Sequence, residues 1–426
     1  MPCGWLTRKE RMVYMKIKIT AIFLALTLVF SLVLSGCTRG DVRELSDYDK
    51  TDTLDEFYGW AKTPEDYSDF AVRLFDKCFK GEDNTLVSPL SVALAFGMVA
   101  EGADNETLEE LQDVLGMSVD DMRDLSEYII RKTLANNQLS TANSLWINNV
   151  DGFTVNEEFL EQNSEHYCAD IFEAKFNNRT IDEINNWVRK NTDGMIEKII
   201  DNLDERAVMC LINALLFDAK WEDVYDEHQV SDGIFVTEKA EIEPAKYMHS
   251  SENLYIKDEK ATGFVKYYEG RDYAFVALLP DIGVSVAEYV STLDGEKLEE
   301  LLENAEETEV RTKIPKFEYE TGLNLKSVLK DMGMEKAFDE EKADFSKLGQ
   351  IQGGNIWIGD VLHSTKITVA EQGTKAGAAT AVIMYGNGAL PSEPKEVYLE
   401  RPFVYMIVDM ENNLPVFMGT VMSVDN

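Results

Sequence analysis

The stretch that most limits what this chain can become lies close to its end. From Thr374 to Ala381 the sequence reads TKAGAATA, eight residues of which only Lys375 is larger than threonine. It follows an alternating segment, HSTKITVA, and precedes a Gly/Asn/Pro-containing loop, YGNGALPSEP. An alternating segment of that kind reads as a strand, and the loop that follows reads as exposed. Taken alone, a run of small side chains between them reads as an Ala-rich surface loop or a short helix.

The rest of the composition narrows the class. The chain has 426 residues, 45% of them hydrophobic, enough for a large core. A net charge of −37 argues against nucleic acid, anionic membrane surfaces and heparin-like polyanions as partners. The N-terminus reads as targeting sequence. Arg8, Lys9, Arg11, Lys16 and Lys18 precede Ile19–Leu34, sixteen residues without a charge. That is short for a membrane span and right for a signal peptide. It ends in Leu34-Ser35-Gly36-Cys37, which resembles a bacterial lipobox, so Cys37 is expected to carry the lipid and to begin the mature protein. Removing residues 1–36 takes away five basic groups and one acid, and the net charge falls by four to −41. Residues 37–62 read as lipid anchor and acidic tether, and 63–426 as one domain. The expected location is extracytoplasmic, anchored at the bacterial surface or released into the medium. Cys78, Cys168 and Cys210 are too few and too scattered for a disulfide framework and read as buried hydrophobes. No HExxH, CxxC, GxSxG or GxGxxG motif is present, and there are four His. No metal, no cofactor and no enzyme activity are expected.

Along the domain, Ser88-Pro89 reads as the N-cap and first residue of a buried helix. NETLEELQDVLG is an amphipathic helix with Leu108, Leu111 and Leu115 on one face and Gly116 as its stop. EINNWVRKNTDGMI is a short helix ending near Gly194. Ala207–Trp221 reads as one long central strand, EVRTKIPKFEYE as one alternating strand, and LNLKSVLKDMGM as a helix. The tail, RPFVYMIVDMENNLPVFMGTV, reads as a buried hairpin about Glu411-Asn412-Asn413. These elements predict a mixed α+β protein.

Five segments in order (NTLVSPLSVALAF, INNWV with NTDGMI, NALLFDAKW, HSTKITVAEQGTKAGAAT and the C-terminal tail) resemble the serpins, the serine-protease inhibitor family. The resemblance covers nearly all of residues 67–426. It implies three β-sheets, about eight or nine helices and an exposed reactive-centre loop, here about 371–396, on a metastable fold. It implies a monomer that inhibits serine proteases as a suicide substrate. The protease cuts the loop and is held as a covalent acyl-enzyme while the loop inserts into the main sheet.

On that reading the small residues form the hinge: Glu371, Gly373, Thr374, Ala376, Gly377, Ala378, Ala379 and Thr380. Thr374, Ala376, Ala378, Thr380 and Val382 would face one way in the inserted strand and Lys375 the other. The family usually has an acid where Lys375 stands and Ala where Gly377 stands. Family spacing places the cleaved bond at Asn387-Gly388, with Met384, Tyr385 and Leu390 as alternates. No Lys or Arg occurs between Ala376 and Pro394, which points away from trypsin-like targets and toward elastase-like, chymotrypsin-like or subtilisin-like ones. Ser88, Ser91, Asn213 and His363 match the family's polar cluster beneath the main sheet, and Trp221 the tryptophan where the loop first enters. The alternative is a non-inhibitory serpin that serves as a binding protein or a protease substrate.

Overall fold

Two apolar runs near the C-terminus pair as an antiparallel hairpin, Phe403–Asp409 with Leu414–Val421. Every residue of both strands is buried. Strands covered on both faces show no polar alternation, which is why this stretch reads as continuous apolar sequence. The computed structural model describes residues 42–45, 64–374 and 394–425. Glu44–Asn426 forms one compact unit, and of Met1–Arg43 only Val42 and Arg43 are described, in extended conformation. Cys37 and the tether up to residue 62 lie outside the described residues, apart from 42–45. So do Ala376 to Thr380, Met384, Tyr385, Asn387, Gly388 and Leu390.

Among the described residues there are nine α-helices and three main sheets, the mixed α+β architecture expected. The hairpin lies just inside one edge of a nine-stranded sheet, flanked by Tyr273–Pro280 and Thr85–Val87. The helix Pro89–Ala100 starts where its sequence says. Ser88 is extended, its side chain accepts the Ser91 N–H, and Pro89 stands in the first turn. Asn105–Leu115 ends at Gly116, which takes φ +67°.

Two of these three sheets have four strands each, and together they make the main sheet, in two parts. In one, Phe317–Asn324, Leu362–Ala370, Gly373–Thr374 and Ala219–Lys220 are neighbours in that order. In the other, Met209–Phe217 pairs with Leu139–Asn148, which pairs with Asp170–Ala174. Ala207–Trp221 is therefore two strands, interrupted at Asp218, with different partners. EVRTKIPKFEYE likewise divides at Lys316. Glu306–Pro315 belongs to the nine-stranded sheet and Phe317–Asn324 to the main sheet. Leu323 and Asn324, expected in a helix, finish that strand, and the helix is only Lys326–Asp331. The Trp187 helix begins earlier than expected, at Asn178, where the Asn177 side chain accepts the N–H groups of Arg179 and Thr180. It stops at Asn191, before Asp193 and Gly194 turn to positive φ. Cys78 is buried, Cys168 and Cys210 are partly buried, and all three are free thiols.

Candidate functional site: the hinge and the open sheet

Leu362–Ala370 ends at Glu371 and Gln372, and the chain returns at once as Gly373–Thr374. Thr374 pairs with Val369 on one side and Ala219 on the other, and Gly373 with Ala370 and Lys220. Gly373 has φ +150°, and a Cβ there would lie 2.0 Å from the Ala219 carbonyl oxygen. Only glycine fits this close backbone approach. Thr374 is 3% exposed, and its hydroxyl shares a 2.6 Å hydrogen bond with the Tyr268 hydroxyl.

Aromatic residues and backbone hold this turn. Trp221 stacks on Tyr268 with centroids 4.5 Å apart. Its indole N–H donates to the Ala370 carbonyl at 2.9 Å. The Trp221 backbone N–H donates to the Gln372 carbonyl and that of Tyr225 to the Glu371 carbonyl, both at 3.0 Å. Lys316, the residue at which the long alternating segment divides, pairs with Glu371 at 2.8 Å. Burial pushes the Glu371 carboxyl up, but its hydrogen bond to Lys316 helps to outweigh this and hold it below its ordinary value.

Below Thr374 the two parts of the main sheet are unpaired. Among the described residues, Met209–Phe217 and Leu362–Ala370 face each other without forming a ladder. A narrow, partly open cleft between them is lined by Leu215, Phe217, Thr365, Ile367 and Thr374. Two strand edges across a gap, with a third strand already started at its mouth, can accept more strand from the same chain.

The family model for serpins (serine protease inhibitor) matches residues 65–424. The chain is a serpin. It is 30% identical over 364 residues to an uncharacterised serpin-like protein of Thermococcus kodakarensis, covering 83% of this chain and 84% of that one. It is 30% identical over 376 residues to leukocyte elastase inhibitor A of Rattus norvegicus, covering 83% and 97%. Among solved structures it is similar to the native state of the thermophilic serpin tengpin, with 42% identity, a TM-score of 0.79, and 88% and 96% coverage. The latent state of tengpin aligns with a TM-score of 0.76 and 38% identity, covering 89% of this serpin and 100% of that chain. Serpins are typically not enzymes and generally target serine proteases.

The residues expected beneath the main sheet of this serpin are only partly together. Ser88 links to Ser91 through its cap, its N–H donates to His363 Nε2 at 3.1 Å, and its hydroxyl donates to the Val416 carbonyl. Asn213 stands apart from them. Its amide donates to Asn143 Oδ1 at 2.8 Å and to Thr141 Oγ1 at 3.2 Å, on the neighbouring strand. The reason is the open slot, since Asn213 is on one of its edges and His363 on the other. Sequence reasoning missed Tyr225, Tyr268 and Lys316. They carry no motif, and only the fold brings them to the turn.

Proposed function

We propose that this serpin inhibits serine proteases as a suicide substrate, trapping the acyl-enzyme when its cleaved loop becomes a strand of the main sheet. The observation that carries the reading is the hinge: Gly373–Thr374 is already hydrogen-bonded on both sides at the mouth of an unfilled slot. Continuing that register sets Ala376 between Ile367 and Phe217, Ala378 between Thr365 and Leu215, and Thr380 between His363 and Asn213. The two polar residues now held apart would then flank one inserted threonine. Each inserted residue closes backbone hydrogen bonds worth about 0.5–1.5 kcal/mol net, so a strand of about fourteen residues gains on the order of 10 kcal/mol or more. At ~3.3 Å per residue it would carry a tethered protease ~46 Å.

The bait bond in this reading is Asn387-Gly388, with Met384, Tyr385 and Leu390 as alternates, and the targets have apolar specificity pockets. The protein sits outside the cytoplasm on a lipid at Cys37. The test is incubation with elastase-like, chymotrypsin-like and subtilisin-like proteases, read on a denaturing gel. A covalent complex is expected, with a released C-terminal peptide whose mass gives the bond and no comparable complex with trypsin. A loop cut by all of them without complex, and without any rise in melting temperature after the cut, would leave a protease substrate instead of an inhibitor.

A further inference from the structure

Beneath the turn-holding segment lies a buried charge. Lys266, on the strand Ala261–Tyr267, is 1% exposed, and its ammonium is 2.9 Å from Glu252 Oε1. Burial alone pushes a lysine pKa down, but the surrounding groups, Glu252 among them, more than reverse this, so the amine stays cationic. Its other neighbours belong to the segment that grips the hinge. Nζ is 4.6 Å from the centroid of the Tyr225 ring and 5.4 Å from that of Trp221. It also donates to the Asp223 carbonyl at 3.4 Å. The Tyr225 hydroxyl shares a 3.0 Å hydrogen bond with Ser250 Oγ, which donates to Glu252 at 2.6 Å. One ion pair therefore fixes both rings and the backbone of Trp221–Tyr225. That same segment makes the three hydrogen bonds to Ala370, Glu371 and Gln372.

A buried ion pair is a poor source of stability, because desolvation offsets its attraction. Its value here is geometric. We propose that Lys266, paired with Glu252, is a positioning residue that keeps the hinge turn docked in the main sheet before the loop is cut. Its use in trapping rests on the inhibitory reading above. Among the described residues Lys266 forms no hydrogen bond or ion pair with Gly373 or Thr374; it acts through Trp221 and Tyr225. Removing the cation costs two cation–π contacts and should raise the undocked population of the hinge about tenfold. A hinge that starts undocked inserts later, and more of the cut loop is hydrolysed.

The test is Lys266→Met with Glu252→Gln, which leaves no unpaired charge and keeps an acceptor for Ser250. Amide hydrogen exchange at Gly373 and Thr374 is measured in the uncleaved protein, together with the inhibitor consumed per covalent complex. Exchange about tenfold faster and a higher consumption are expected, with both restored toward normal by Lys266→Arg. The control is Lys132→Met with Asp409→Asn. It removes another buried pair, 2.5 Å apart, that ties the helix Val119–Ala135 to the C-terminal hairpin. Unchanged exchange at the hinge, or an equal change in the control, would overturn the proposal. Faster exchange in a protein whose wild type traps no protease would support the clamp and overturn the inhibitory reading instead.

Discussion

His363 carries the pH response of the sheet. It is buried, its Nε2 accepts the Ser88 N–H, and burial pushes its pKa from 6.5 to about 4. Its unfolded counterpart titrates near 6.5. Below that pH the unfolded chain binds a proton that the folded chain refuses, until the folded pKa is reached. The imidazole therefore costs nothing above pH 6.5, and its penalty grows as pH falls from about 6.5 to about 4. It reaches about 3 kcal/mol. Melting of the uncleaved protein should fall between pH 7 and pH 4.5, and His363→Gln should flatten that fall while keeping an acceptor for Ser88. Equal slopes in the two proteins would assign the titration elsewhere.

The hinge works as an element because three things coincide within two residues. Gly373 permits a backbone approach that no Cβ could share, Thr374 has a hydroxyl partner in Tyr268, and both sit between two existing strands. Thr374→Arg would bring a charge with no partner into that space, at a cost on the order of 3–5 kcal/mol. Because Thr374 is already docked before cleavage, the mutant should show its effect twice. Its hinge amides should exchange faster in the uncut protein, and after attack by a protease it should be released as cleaved substrate. Covalent complexes at full yield from Thr374→Arg would mean that the docked register is not the one used in insertion.

For the molecule as a whole, the proposed inhibitory reading makes the open slot a place where strand pairing is still to be gained, with the uncut fold held by kinetics. With the proposed removal of residues 1–36, a net charge near −41 favours a solvated protein over one bound electrostatically to a membrane surface. On the proposed anchoring at Cys37, attachment depends on the lipid. Cys37→Ala should leave the precursor uncleaved or free the protein from the cell, which fractionation and blotting would detect. Full membrane retention of a processed Cys37→Ala protein would remove the lipid from the account.

What the sequence determined by itself was whatever depends on near neighbours. Ser88-Pro89 begins a helix, Gly116 ends one, and the two apolar runs Phe403–Val408 and Leu414–Met418 about a polar turn bury a hairpin, because caps and face patterns act over a few residues. What the tertiary structure decided is which strand lies beside which. Periodicity reports the faces of a strand and not its edges, so nothing local divides Ala207–Trp221 at Asp218 or sends Glu306–Pro315 and Phe317–Asn324 into different sheets. The same limit hid the separation of Asn213 from His363, which are 150 residues apart in the chain and on opposite edges of the slot. Lys266 shows it most sharply. In GFVKYY it looks like a lysine on the wet face of a strand. It is buried because Glu252 on one strand and the segment Trp221–Tyr225 arrive from two other parts of the chain to surround it, and a charge can stay inside a protein only where its partners have been brought to it.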